Sequence, residues 1–150
     1  QHMTETLLWL SRDEDKQGGG STDLPDIKIS CMVEQLIEDN HYLLKGKSVE
    51  ILLELEDSFV KVLETPCRLV LNNLIRNAFQ YTAEGEVKIV FKNSKLEILN
   101  INFTRDEVDH TGSDYGYGLG LRLVDRIVEK VNWAYQNVEI PGGRKVVIGF

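Results

Sequence analysis

Residues 66–82 read PCRLVLNNLIRNAFQYT, and their spacing predicts the helix around which the rest of the chain is arranged. Pro66 suits a first helical position, where its missing N–H would have no partner. At about 100° per residue, Leu71, Leu74, Ile75, Ala78 and Thr82 cluster on one side, and Asn73, Asn77 and Gln80 fall on the other. Asparagine is a poor helix former because its side chain competes for backbone hydrogen bonds. Two of them at i and i+4 on one face need a reason. Either the face is simply wet, or it holds a polar ligand or a hard metal ion, for which an amide oxygen is a good donor.

Working outward, Glu86 to Phe91 alternates and Leu96 to Ile101 runs back across Lys92-Asn93-Ser94-Lys95, a hairpin pattern. Upstream, Asp26 to Ser30 reads as a short strand with Ser30 as N-cap of a helix from Cys31 to Leu44, ended by Gly46. Val49 to Leu55 and Phe59 to Leu63, separated by Glu56-Asp57-Ser58, read as another hairpin. Downstream, Trp133 to Ile140 and Arg144 to Phe150 flank the turn Pro141-Gly142-Gly143. The element order predicts an α+β two-layer sandwich: one mixed, largely antiparallel sheet covered by three helices.

The 150 residues suit one domain with a real core, and 42% hydrophobic and 27% charged content is ordinary for a globular chain. A net charge of −7 argues against non-specific nucleic-acid binding, which needs a basic surface. Cys31 and Cys67 are too few and too far apart for a metal site or disulfide framework and fit two mostly buried thiols in a reducing cytosol. No run approaches ~18 apolar residues, so no membrane contact is expected of this segment. Gln1-His2-Met3 reads as a cloning remnant, so His2 is left out of site reasoning. Residues 4–24 read as the end of a preceding helix, with Leu7-Leu8-Trp9-Leu10, and a Gly-rich linker; the domain proper is 25–150. His41 lies near a helix end with no second histidine or cysteine nearby.

A second constellation follows a polar stretch, residues 102–115, that has no periodicity and reads as a mobile loop. Gly116-Tyr117-Gly118-Leu119-Gly120-Leu121 opens directly into a helix to about Val131, predicted to bury Leu121, Val124, Ile127, Val128 and Val131. Glycines let backbone N–H groups approach a ligand, and a first helical turn offers unpaired donors, which makes a phosphate site by physics. The context of a Rossmann or P-loop site is missing: no strand feeds these glycines and no Gly-Lys-Ser/Thr follows.

Taken together, these motifs resemble a known family. Asn73-Leu74-Ile75-Arg76-Asn77-Ala78-Phe79-Gln80-Tyr81 looks like the N box of the sensor histidine kinase ATP-binding domain, of the GHKL superfamily with its Bergerat-type fold. Gly116 to Leu121 looks like its second glycine box, and Gly142-Gly143-Arg144 resembles its terminal glycine element. The resemblance implies that Asn77 ligates the Mg²⁺ bridging the ATP phosphates, that Asn73 holds the same polar face, and that Tyr81 lies against the adenine. It implies that Gly116, Gly118 and Gly120, with the N–H groups of Leu119 and Leu121, take the triphosphate, and that 102–115 is the ATP lid. Gln80 stands where the family often has a basic residue contacting phosphate.

The sequence departs from the family at the first glycine box. No Asp-x-Gly-x-Gly follows Leu96, and Asn100 or Asn102 takes the place of the adenine-binding aspartate, Asn100 being favoured. An asparagine oxygen can accept from the adenine amino group, without the charge-assisted part of that bond. In the lid, Arg105 either reaches the γ-phosphate or serves solubility. Neither His41 nor His110 has the context of a phospho-accepting histidine, and Asn73 stands where hydrolysing relatives carry a glutamate base. The resemblance therefore implies the catalytic half of a bacterial two-component histidine kinase: ATP·Mg is bound and its γ-phosphoryl group passes to a histidine on a separate dimerisation domain, then onward to a response regulator. The parent is expected to be anchored in the inner membrane with this domain in the cytoplasm. The alternative is a degenerate nucleotide- or partner-binding scaffold without turnover.

Overall fold

Seven strands and three helices are laid out in residues 24–103 and 122–150, the residues described in the computed structural model. Strand β1, Asp26–Lys28, leads into helix α1, Ile29–Asn40, and a 3₁₀ turn, His41–Leu44. Strands β2, Ser48–Leu55, and β3, Phe59–Lys61, precede helix α2, Glu64–Tyr81. Strands β4, Glu84–Lys92, and β5, Lys95–Asn102, follow; then come helix α3 over 122–131 and strands β6, Ala134–Ile140, and β7, Gly143–Gly149.

The main sheet has the order β2-β4-β5-β7-β6, with β2 parallel to β4 and every other neighbour antiparallel. One face carries Val87, Ile89 and Phe91 of β4, Leu96 and Ile98 of β5, and Val146 and Ile148 of β7 into the core. Helices α1, α2 and α3 cover that face with Met32, Val33, Leu36, Leu71, Ile75, Phe79, Val124 and Ile127. This is the predicted mixed sheet under three helices. Alternation along the strands puts one side in the core and leaves the other polar.

The β4–β5 hairpin forms as its alternation predicts. Its two-residue turn is Asn93-Ser94, with φ 53° and 61°, the left-handed pair that suits a type I′ turn. The β6–β7 hairpin turns at Pro141-Gly142, with Gly142 at φ 81°. Helix α3 ends at Asn132, φ 66°, while the Trp133 N–H reaches back 3.0 Å to the Val128 carbonyl, the closure of a Schellman cap.

The hairpin predicted from Val49–Leu55 and Phe59–Leu63 does not form. β2 pairs in parallel with β4 across the α2 crossover, whereas β3 leaves the sheet and pairs antiparallel with β1. A parallel pair needs a long crossover, which α2 supplies, and β4 offers β2 an eight-residue register. β3 has three residues and buries only Val60 among them. Local alternation marks a strand; it does not name its partner.

Other boundaries shift for identifiable reasons. α1 starts at Ile29 after Lys28, without a side-chain cap from Ser30, and tightens into the 3₁₀ turn before Leu44. α2 starts at Glu64, so Pro66 is its third residue rather than its first. It is still in the first turn, where its N–H would have no acceptor within the helix. β5 runs through Asn102, a residue the predicted loop 102–115 included. In α3, Leu123 is buried with Val124, Ile127 and Val128, and Val131 is half-buried. Of the two cysteines Cys67 is buried, but Cys31 is exposed. Among the described residues no helix is long and apolar enough to cross a membrane.

Candidate functional site

Helix α2 packs against both α1 and the sheet, and twelve of its 18 residues are buried. Its asparagines therefore do not form a wet face: Asn73 is 8% exposed and Asn77 is 7% exposed, while Gln80 is exposed. A buried amide without hydrogen bonds costs about 1–3 kcal/mol, so each one has to be accounted for.

Asn73 turns its Nδ2 back onto the Leu69 carbonyl at 2.9 Å, which spends part of its amide on its own helix. Asn72, absent from the sequence reading, faces α1. There the Asn40 Nδ2 donates to its Oδ1 at 2.9 Å and to the Leu36 carbonyl at 2.8 Å. Asn77 is different. Its Nδ2 is buried and, among the described residues, has no hydrogen-bond partner. Half a turn of the amide exchanges that nitrogen for the oxygen with no change in shape, so this position can present either a donor or a hard-cation ligand.

The end of α2 is held by three side chains. Thr82 donates its hydroxyl to the Ala78 carbonyl at 2.8 Å. Lys47, from the approach to β2, donates to the carbonyls of Phe79 at 2.9 Å and Gln80 at 3.2 Å, placing a cation at the negative end of the helix. Asn102, at the end of β5, accepts from the N–H groups of Ala83 at 2.7 Å and Glu84 at 3.3 Å and donates to the Tyr81 carbonyl at 2.7 Å. The Phe103 N–H then bonds the Glu84 carbonyl at 2.7 Å. Tyr81, half-buried, is thus fixed at the last helical residue. Asn77 lies one helical turn back, roughly 6 Å along the axis.

Asn102 and Asn100 extend from β5 on the same side as Leu96 and Ile98, toward the helices. With its amide spent on the helix end, Asn102 is a strap. Asn100, 5% exposed, makes no side-chain hydrogen bond to another described residue. Its neighbour across the sheet is Arg144 of β7, on the same inner side as Val146 and Ile148. The Arg144 Nη1 donates to the Asn137 Oδ1 at 2.9 Å, and the Asn137 Nδ2 donates to the Tyr135 hydroxyl at 3.1 Å. The inner face of the sheet is therefore apolar at one end and polar at the other.

Burial, more than any neighbouring charge, raises the Tyr135 pKa, and the Asp125 carboxylate adds to it, so this phenol stays neutral. Burial also raises the Asp125 carboxyl, with Glu129 one turn along adding repulsion. Cys67, at the far end of α2, is pushed up to about 12 by burial, which makes it an inert thiol. Among the described residues no three His, Cys, Asp or Glu side chains converge. A divalent ion here would rely on an amide oxygen together with oxygens brought by a ligand, a pattern that suits Mg²⁺. The orphaned Asn77 amide fits that requirement.

Of the residues singled out from sequence, Tyr81 and Asn102 are joined by a hydrogen bond, Asn73 and Asn77 lie on the same helix as Tyr81, Asn100 lies on the same strand as Asn102, and Gln80 is exposed. Arg105, Gly116, Gly118, Leu119, Gly120 and Leu121 lie outside the described residues, as does all of 104–115. Sequence reasoning missed Asn72, Lys47 and the Arg144-Asn137-Tyr135 chain. Asn72 had a signal: it stands three residues from both Leu69 and Ile75, inside an apolar stripe. Lys47 had none, because its partners are 32 and 33 residues away.

No family model matches the chain, and no curated protein matches it by sequence. Solved structures do. The cytoplasmic segment of the histidine kinase QseC superposes with a TM-score of 0.70 at 18% identity, over 99% of this chain and 89% of that one. The Acinetobacter baumannii histidine kinase AdeS gives 0.72 at 22% identity, over 98% and 75%. A nucleotide-free catalytic domain of the histidine kinase ThkA gives 0.65 at 18%, over 85% and 94%. The chain has the fold of histidine kinase catalytic domains.

Proposed function

We propose that this domain binds ATP with Mg²⁺ and presents the γ-phosphoryl group to a histidine on a separate dimerisation domain of the same protein. The observation that carries the reading is the buried Asn77 Nδ2, unpartnered among the described residues and one turn from the fastened end of α2. It is supported by the fold, which this chain shares with histidine kinase catalytic domains. Natural chains rarely leave such a group unpaired, and those that do often reserve it for a ligand.

In this reading Asn77 is the metal ligand and Asn73 holds the adjoining face. Tyr81 and Asn100 lie at the base. Arg105 and the segment from Gly116 to Leu121, with Gly118, Leu119 and Gly120, receive the phosphates. Mg²⁺, when bound, supplies charge neutralisation at the phosphate oxygens. The chain itself contributes position: a helix end fixed from β5 and from Lys47 holds Asn77 at a constant height above the sheet. The P–O bond to the nucleoside diphosphate breaks, a P–N bond to the imidazole forms, and the imidazole proton leaves to solvent. No general base is needed on α2, and Asn73 is none. The response regulator receives the phosphoryl group downstream, and the domain works at the cytoplasmic side of a membrane-anchored parent.

Isothermal titration with a non-hydrolysable ATP analogue, with and without Mg²⁺, tests this. Mg-dependent binding that Asn77→Ala abolishes and Asn73→Ala mostly spares is the expected result. The absence of heat and of thermal shift at millimolar analogue would overturn it. Binding without transfer of labelled phosphate to the parent's histidine-bearing helices would leave a nucleotide-binding scaffold.

A further inference from the structure

The two-stranded ribbon of β1 and β3 stands apart from the main sheet, and its two sides differ. Directly opposed residues of an antiparallel pair share a side. Ile27 and Val60 are opposed and belong to the core: Val60 is buried and Ile27 packs against the buried cluster. The other side carries Asp26 opposite Lys61 and Lys28 opposite Phe59. The Val62 N–H donates to the Pro25 carbonyl at 3.2 Å, which carries the ladder one step further and sets Leu24 opposite Leu63. On this outer side Phe59 is 59% exposed, Leu63 46% and Leu24 37%. The remaining large exposed apolar side chains among the described residues, Tyr42, Leu53, Phe103 and Val138, are scattered along the chain. A single exposed apolar residue is ordinary, whereas several gathered on one small face mark a contact surface.

The charges on this face are already matched. The Lys61 Nζ lies 2.9 Å from the Asp26 Oδ1, and the Lys28 Nζ lies 2.9 Å from the Asp57 Oδ1 and 5.9 Å from the centre of the Phe59 ring. The face is therefore apolar at both ends with a neutral ion pair between, and it sets up no net charge that would select a strongly acidic or basic segment. A tryptophan flanked by leucines suits such a surface, because an indole is an apolar body with one N–H donor and the Asp26 carboxylate is an acceptor. Leu7-Leu8-Trp9-Leu10 has that composition, and residues 1–23 join the described chain at Leu24, on the face itself. The connector 11–23, with Gly18-Gly19-Gly20 inside it, has a length and composition that correspond to an r.m.s. span on the order of 20 Å. The two strands of a ribbon are only about 5 Å apart, so the tether reaches across the whole face. Tethering at this length gives an effective concentration in the millimolar range, which favours this run over an untethered one.

We infer that the outer face of the β1–β3 ribbon, formed by Leu24, Phe59 and Leu63, is the docking surface for Leu7-Leu8-Trp9-Leu10 of the same chain. Leu63 is the residue before α2, so the contact lies roughly 20 Å along the helix from Asn77 and does not depend on the nucleotide reading.

Trp9 reports on this contact, since the chain has two tryptophans and the signal of Trp133 is measured by itself in Trp9→Phe. Acrylamide quenching is followed on the whole native chain, Phe59→Ser and Leu63→Ser, with circular dichroism melts to confirm that each is folded. Leu63 stands at the N-cap of α2 with extended backbone and no side-chain capping bond, so a serine there supplies a cap while removing the apolar contact. Trp9 is expected to be quenched at least about twofold less in the native chain than in either variant, as burial of the indole requires. Should Phe59→Ser fail to fold, Leu63→Ser decides alone. The protection is expected to stay constant from about 1 to 100 µM with the chain sedimenting as a monomer, since a tethered contact is independent of concentration. Protection that grows with concentration together with a dimer would overturn the inference in favour of a contact between copies. Quenching of Trp9 as fast as that of free tryptophan, or protection unmoved by Leu63→Ser, would overturn it outright.

Discussion

Asn72 and Asn77 are five residues apart on the same helix and almost equally buried, yet they answer to different demands. Asn72 spends its oxygen on Asn40 and joins α2 to α1 across a dry contact. Asn77 leaves its Nδ2 without a partner among the described residues. The first amide belongs to the architecture and returns its desolvation cost as a tie between helices. The second keeps that cost outstanding. Burial alone does not distinguish a structural polar group from a functional one; the completeness of its hydrogen bonding does.

The contrast can be broken by substitution. The largest effect is expected at Asn72→Ala, which removes the acceptor of Asn40 and opens a small void, costing about 2–3 kcal/mol in chemical unfolding. A cost under about 0.5 kcal/mol would mean the tie is dispensable. Next is Asn102→Ala. It frees two N–H groups and the Tyr81 carbonyl at the end of α2, expected to cost about 1–2 kcal/mol because the site is only partly buried. Asn77→Leu is expected to act in the opposite direction, raising stability by about 1 kcal/mol while Mg-dependent nucleotide binding is lost, since an apolar group of similar size removes the unmet polarity. Destabilisation there would move Asn77 into the same class as Asn72.

The smallest effect concerns the other end of α2. The folded-state pKa of Cys67 is raised by burial from the ordinary thiol value of 9.0 to about 12. Between pH 6 and 8 the thiol is neutral both folded and unfolded, so it adds no pH dependence to stability. Above the ordinary thiol pKa the unfolded chain releases the proton first, and stability falls as pH rises through that window toward the folded value. A thiol reagent at neutral pH should label one cysteine in the native chain, the exposed Cys31, and two after denaturation.

Much of the fold was legible because its signals are local. The β4–β5 alternation, the Asn-Ser turn and the apolar repeat of α2 each lie within one element. The β2–β4 pairing was not, because periodicity reports a strand's faces without its neighbour, and the intervening crossover is α2 itself. The helical wheel set Asn73, Asn77 and Gln80 apart from the apolar side but left open which of them is wet; Gln80 is exposed and the two asparagines are buried. That depended on how completely α1 and the sheet enclose α2, which is a tertiary fact. Asn102 and Asn100 are two residues apart on one strand face, so the sequence favoured Asn100 without deciding between them. Only the position of the α2 terminus tells the strap from the open amide.

Two glycines flank the strand that carries that pair. A Cβ on Gly85 would stand 1.9 Å from the Ile101 carbonyl oxygen, and one on Gly143 would stand 1.7 Å from the Asn100 carbonyl oxygen. Neither tolerates a side chain without displacing the backbone beneath Asn100. In a survey of every single substitution scored by growth alone, both would look as intolerant as a ligand-binding residue. Scoring the amount of folded protein alongside growth would separate the two kinds of position. Gly85 and Gly143 variants would be lost from the folded pool, and Asn77 variants would remain in it.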